Sequence, residues 1–320
     1  MSVQTGVEAA LERLRAELAA VAPRGPSVVT VGKFDGVHSA HVNIVRLVVE
    51  RAQARGATPG VLTFDPLPYV VFNPGKPYHY LCSVEERLER LKALGVGFVV
   101  PITFSLEFSR LSAREFLEAL VQTLAMVEFV GGPDAALGHD REGTGERLRA
   151  LGRELGFAIV EAPPFLLDGV VINSSLVRHC LWDGDVERAA RALGRPYRLS
   201  GRVVPGDRRG RQLGFPTANL VPPEHLLIPG DGIYGCRAFI EGAAYRAAVN
   251  IGVRPTFGEG LQRLIEAFLL DFEGDLYGRT LTLEFIHRVR GEARFSSAEA
   301  LILQMHDDVR LVRERVDLGA

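Results

Sequence analysis

Along the first half of the chain, short apolar runs alternate with stretches in which apolar residues recur every three or four positions. Residues 28–31 form such a run, and behind it Val42, Val45, Val48 and Ala52 share one helical face that Gly56 is placed to end. Residues 61–64, 97–104, 127–130 and 157–162 repeat the strand signal. Ser83 with Glu86, and Ser112 with Glu115, are S-x-x-E capping boxes that open apolar-periodic helices, and a further helix is expected near 145–156. Strands and helices in alternation predict a parallel sheet covered on both faces. The stretch 6–20 reads as an additional amphipathic helix.

After Gly184 the pattern changes. A polar, Arg-rich segment, 185–200, reads as a connection to short strands broken by Gly and Pro, which predict an antiparallel barrel. A closing helix over 296–316 begins at a capping box, Ser296 with Glu299. Its stripe of Leu301, Met305, Val309 and Val312 is expected to lie across the barrel. The boundary between the two domains falls near residue 185, giving 1–185 and 186–320.

Composition narrows the class. With 320 residues, 47% hydrophobic and 24% charged, each half is long enough to bury a core. A formal net charge of −2 argues against nucleic acid and anionic membranes as partners. No segment approaches the roughly 18 apolar residues that a membrane span requires, and the charged N-terminal stretch is unlike a signal peptide. Cys82, Cys180 and Cys236 are widely spaced, as expected of buried thiols in a reducing cytoplasm.

Two constellations carry chemistry. The first strand ends in Gly32-Lys33-Phe34-Asp35-Gly36-Val37-His38-Ser39-Ala40-His41, and a helix follows. In an open α/β sheet this turn is where a ligand docks, and a helix N-terminus suits phosphate. Two histidines three apart there can donate hydrogen bonds to a triphosphate. Farther on, Asn173-Ser174-Ser175-Leu176-Val177-Arg178 places hydroxyls and an arginine at a helix start. These stretches resemble the FAD synthetase module of the bacterial bifunctional enzymes, a branch of the nucleotidylyltransferase superfamily with a Rossmann-like α/β fold. The resemblance implies a nucleotide held by Gly32, Phe34, Asp35, Ser174 and Ser175, with His38, His41 and Arg178 catalytic and Asp134 near a flavin. The pattern departs at Ala40, Leu67, Ala135 and Leu137, where the family carries a glycine, a histidine and two aromatics.

In the second half, Gly201 to Asp207 and then Gly210-Arg211-Gln212-Leu213-Gly214-Phe215-Pro216-Thr217-Ala218-Asn219 resemble the riboflavin kinase signature. Matching segments follow in the family's order around Tyr234, Asn250, Glu266, Tyr277 and Arg290. Thr217 and Asn219 alternate on a strand, so both offer oxygen on one side to a hard cation. Gly206, Gly210 and Gly214 let the chain lie close over phosphates. Glu266 stands alone among apolar neighbours. The resemblance implies that it is the base for a flavin hydroxyl, that Arg290 and Phe295 help enclose the flavin, and that Thr217 and Asn219 hold Mg2+.

The reading that follows is an enzyme that phosphorylates riboflavin with ATP to FMN and adenylylates FMN with ATP to FAD. Two alternatives stay open at this point. One is a riboflavin kinase whose N-terminal domain is degenerate or retuned, motivated by the four departures. The other is a non-catalytic flavin sensor on the same scaffold.

Overall fold

The computed structural model describes residues 3–133, 135–206, 214–255 and 261–319. By its contacts the chain divides into two units, 1–78 with 83–172, and 79–82 with 173–320.

The first unit opens with α1 (Val3–Ala19), followed by β1 (Ser27–Val31), α2 (Ser39–Arg55), β2 (Thr58–Asp65), α3 (Pro68–Phe72) and α4 (Val84–Lys92). Then come β3 (Phe98–Thr103), α5 (Ala113–Leu124), β4 (Met126–Gly131), α6 (Gly145–Leu155) and β5 (Ala158–Glu161). The five strands lie parallel in the order β3-β2-β1-β4-β5, as the alternation predicts. One face packs on α1, α5 and α6 through Leu14, Leu18, Phe116, Leu120 and Leu151, and the other on α2 and α4 through Val45, Val48 and Leu91. The amphipathic N-terminal helix thus belongs to this unit. Gly56 ends α2 with φ 60°, a left-handed turn that costs glycine nothing. Ser112 and Glu115 form the full reciprocal capping box of α5. Strand order reverses beside β1, so the loop leaving β1 sits at the topological switch point where open α/β sheets bind ligands. A short hairpin, β6 (Leu166–Leu167) with β7 (Val170–Val171), closes the unit.

The second unit begins with α7 (Ser174–Trp182) and α8 (Val186–Leu193), then β8 (Tyr197–Val204), β9 (Ala218–Val221), β10 (Gly232–Ile240), β11 (Ala243–Pro255), β12 (Leu261–Leu269) and β13 (Thr280–Arg290). The strands close an antiparallel barrel in the order β10-β11-β12-β9-β8-β13. The last helix, α9 (Ala298–Arg315), packs on β10, β11 and β13. The segment expected as a polar connection is largely ordered structure. Asp185 caps α8 by accepting from the Arg188 amide, and Val186, Ala189, Ala192 and Leu193 bury one face against the barrel. The contact division therefore falls ahead of α7, upstream of the boundary drawn near 185. Ser297, rather than Ser296, caps α9, accepting from the Ala300 amide.

Burial alternates along the middle of β11, along β12 and into β9. Val249, Ile251, Ile265, Ala267, Ala218 and Leu220 are buried, whereas Asn250, Leu264, Glu266, Phe268, Thr217 and Asn219 alternate with them and stay partly accessible. The side chains of chemical interest thus lie on the outer wall of the barrel, facing a cavity that Leu301, Met305 and Asp308 of α9 also line.

Candidate functional site

In the first unit the chain leaves β1 through a buried turn. Phe34 (φ 50°), Gly36 (φ 78°) and Val37 (φ 41°) are left-handed. For β-branched Val37 this is a strained conformation, of the kind that costs about 1–3 kcal/mol and persists where surroundings over-determine it. The surroundings here are specific. Arg87 of α4, 1% exposed, donates to the Lys33 and Phe64 carbonyls, and the Thr63 hydroxyl donates to Lys33 as well. Buried Asp35 accepts from the Tyr78 hydroxyl at 3.2 Å. The Phe34 ring covers Gly32, where a Cβ would lie 3.0 Å from Cε2.

His38 is the N-cap of α2. Its Nδ1 accepts from the His41 amide at 3.4 Å, which leaves Nε2 as the ring's donor. The two imidazoles stack at 3.6 Å between centroids, and His41 also meets the Phe34 ring. Burial, then the neighbouring His38, Arg87 and Lys33, push His41 well below the ordinary imidazole value, so it is neutral at pH 7. Its Nδ1 is buried without a protein partner among the described residues. The predicted Gly32, Phe34, Asp35, His38 and His41 are thus brought together at the positive end of a 17-residue helix.

The four departures from the family pattern are placed as follows. Leu67 is fully buried at the start of α3, and Leu137 belongs to the core with Ala135 packed against it. Ala40 sits in the first turn of α2. Aromatic surface is supplied elsewhere at the carboxyl end of β2: Tyr69 lies 5.1 Å from Tyr78, and Phe72, 55% exposed, packs edge-on against Phe104. Ser174, Ser175 and Arg178 open α7 in the second unit, where the Arg178 Nε donates to the His79 carbonyl. Asp134 and Gly210 lie outside the described residues.

In the barrel unit Thr217, Asn219, Glu266, Arg290 and Phe295 line one cavity of about 530 Å³. Strand pairing sets Glu266 directly opposite Asn219 of β9 on one side and Asn250 of β11 on the other. Ile233, Ala248, Leu264, Phe268, Leu301 and Met305 make the lining largely apolar. Gly206 packs against the Asn219 amide, where an added Cβ would lie 2.0 Å from Nδ2. Gly214, at φ 85°, takes the turn before β9 with open space beside it. Arg290 lines the cavity but is already committed: its guanidinium grips Asp308 of α9 at 2.8–3.2 Å and lies 5.6 Å over the Phe295 ring. A second cavity, about 460 Å³, is bounded by Pro216, Thr217, Leu276 and Tyr277. The two share Thr217.

Sequence reasoning gave no role to Arg87, Asn250 or Asp308. Arg87 and Asp308 sit among other charges in amphipathic helices, so nothing in the pattern marks them as buried. Asn250 had a signal, one amide at an alternate position of an apolar strand.

Comparisons with known proteins agree with this geometry. A riboflavin kinase family model, Flavokinase, matches residues 193–316, and an FAD synthetase model matches residues 21–176. A bifunctional riboflavin kinase/FMN adenylyltransferase of Pseudomonas fluorescens is 38% identical over 89% of this chain and 92% of its own. That of Escherichia coli K12 is 36% identical over 92% and 94%. A crystal structure described as a macrolide-efflux protein from Streptococcus pneumoniae superposes with TM-score 0.86 at 30% identity, covering 92% of this chain and 96% of that one. The efflux description stays with that protein; among the described residues here no helix is long and apolar enough to cross a membrane. Two matches in one chain do not favour a kinase alone or a non-catalytic sensor. With both modules present in order, and relatives alike over nearly their whole length, the chain belongs to the family of bifunctional riboflavin kinase/FMN adenylyltransferases.

Proposed function

We propose that this chain transfers the γ-phosphate of ATP to the 5′-hydroxyl of riboflavin on the outer wall of its barrel. It then transfers the adenylyl group of a second ATP to FMN at the carboxyl ends of its parallel strands. The observation that supports the kinase reading most directly is the placement of Glu266. It is a carboxylate flanked by two amides on the wall of an otherwise largely apolar cavity. A flavin asks for that combination, apolar surface for its ring and polar groups for its side chain.

In this reading riboflavin occupies the larger cavity and the nucleotide the smaller, and the phosphate crosses at Thr217, which both share. Glu266 accepts the hydroxyl proton as the new O–P bond forms, since a carboxylate is too weak to deprotonate a free alcohol. Thr217 and Asn219 would supply two neutral oxygens, a donor set suited to Mg2+. Bound there, Mg2+ supplies charge neutralisation on the phosphates. Gly206 allows the close approach that orients Asn219.

For adenylylation, the FMN phosphate attacks the α-phosphorus and pyrophosphate leaves. Nε2–H of His38 and the first amides of α2 donate to the triphosphate, and neutral His41 supports the His38 ring from below. Tyr69, Phe72 and Tyr78 give the isoalloxazine a stacking surface in place of the missing aromatics. Ser174, Ser175 and Arg178 are assigned to the triphosphate on the resemblance alone. Three buried free thiols suit the cytoplasm, where we place the protein.

The test is a two-step assay with the full chain, riboflavin and Mg-ATP. FMN should accumulate first and FAD follow. No FMN at any enzyme concentration would end the kinase reading, and FMN without FAD would end the second.

A further inference from the structure

On the cavity side of β11 the alternate positions are Ala248, Asn250 and Gly252. The third has no side chain, and the space is taken by another residue: a Cβ at Gly252 would lie 2.2 Å from Oε1 of Glu292, which reaches in from the segment after β13. The same point is 3.9 Å from Oδ1 of Asn250. Glu292 is a lining residue of the cavity, like Glu266. The wall therefore presents, in sequence, the Glu266 carboxylate, the Asn250 amide and the Glu292 carboxylate. The first step is one cross-strand pair, about 5 Å, and in the second the Glu292 and Asn250 oxygens lie 2.2 and 3.9 Å from one shared point.

Resting on the kinase reading above, we infer that Glu292, given room by Gly252, is the specificity-determining residue that accepts hydrogen bonds from the interior hydroxyls of the flavin's polyol chain. A carboxylate only accepts, so its partner in the cavity must be a donor. With the terminal hydroxyl at Glu266, the adjoining carbons run along the wall past Asn250 toward Glu292. The hydroxyls they carry are the donors at that distance. Around this row Leu264, Phe295, Leu301 and Met305 are apolar, Thr217 and Asn219 are assigned to the metal, and Arg290 and Asp308 are paired with each other, which leaves these three side chains to read an acyclic polyol. Glu292 is exposed here, so the discrimination it gives is that of one hydrogen bond to a charged group rather than of a buried carboxylate left unpaired.

The experiment compares riboflavin with a flavin whose N10 chain is 5-hydroxypentyl, which keeps the terminal hydroxyl and lacks the interior ones. The full chain and its Glu292→Gln, Glu292→Ala and Gly252→Ala variants are assayed for phosphorylation of both. Wild type should favour riboflavin. Glu292→Ala should lower kcat/KM on riboflavin about 10- to 100-fold and change it little on the analogue, so that discrimination collapses. Gly252→Ala should collapse it in the same direction, because its methyl displaces only the far end of the Glu292 side chain. That variant decides the matter if Glu292→Ala does not fold. Equal losses on both substrates, unchanged discrimination, or a change confined to the Mg2+ requirement would overturn the inference. If wild type phosphorylates neither flavin, the kinase reading itself has failed; if it phosphorylates riboflavin with discrimination untouched by these variants, only the role of Glu292 has.

Discussion

Replacing Arg290 by alanine should destabilise the barrel far more than replacing its partner Asp308. The Asp308 side chain is 5% exposed and the Arg290 side chain 21%. Without Arg290 the carboxylate keeps only the Gln304 amide, 3.0 Å away, among its side-chain partners here. A buried charge stripped of its counter-ion costs about 3–5 kcal/mol, a large share of the roughly 5–15 kcal/mol that holds a domain together. The reverse change leaves a guanidinium that still reaches water, the Gly291 carbonyl and the Phe295 ring, so Asp308→Ala should cost about 1–2 kcal/mol. Arg290→Met combined with Asp308→Leu should recover most of the loss, since apolar replacements of a buried pair are often neutral. Urea unfolding followed by the fluorescence of Trp182, the single tryptophan and a residue of this unit, reads all three. Equal losses below about 1 kcal/mol for both single variants would show that the pair behaves as an exposed one and would refute the reasoning.

Glu266→Gln should cut riboflavin phosphorylation by 10²-fold or more with ATP affinity within about twofold, checked by steady-state rates and calorimetry; unchanged turnover would remove it from the chemistry. Gly206→Ala, whose methyl would press on the Asn219 amide, should raise KM for Mg-ATP while melting temperature holds, and a normal KM would sink the assignment of Asn219. His41 is held neutral in the folded state, whereas an unfolded imidazole takes its proton near 6.5. The unfolded chain thus binds more protons below about pH 6.5, and stability should fall as pH drops through that range; His41→Gln should flatten that slope, and an unaltered slope counts against the buried neutral ring. Arg178→Ala should depress FAD formation and spare FMN formation, as a product ratio will show.

Much of this was legible in the sequence because the two halves obey different periods. Helical repeats between apolar runs fix a parallel sheet, and the turn after β1 falls at its switch point by strand order alone. The barrel strands were legible from their Gly and Pro breaks. Helix α8 was not, because arginines on its wet face outweigh four apolar residues spaced to bury the other. Nor could the pattern say which wall of the barrel carries the site. Leu264 and Phe268 share a side with Glu266, so polarity along β12 does not separate outside from inside, and only the covering helix does. The Arg87 clamp on Lys33 depends on where α4 lands, a matter of tertiary packing.

Because Glu266 shares β12 with Ile265 and Ala267, turned the opposite way, the proposed catalysis and the folding are keyed to the same register. Inserting or deleting one residue ahead of it would turn the acid into the hydrocarbon centre and point a branched alkyl group at the vitamin. Length changes in this strand therefore cannot be graded in effect, whereas trading one inward side chain for another of equal volume leaves the reacting side untouched.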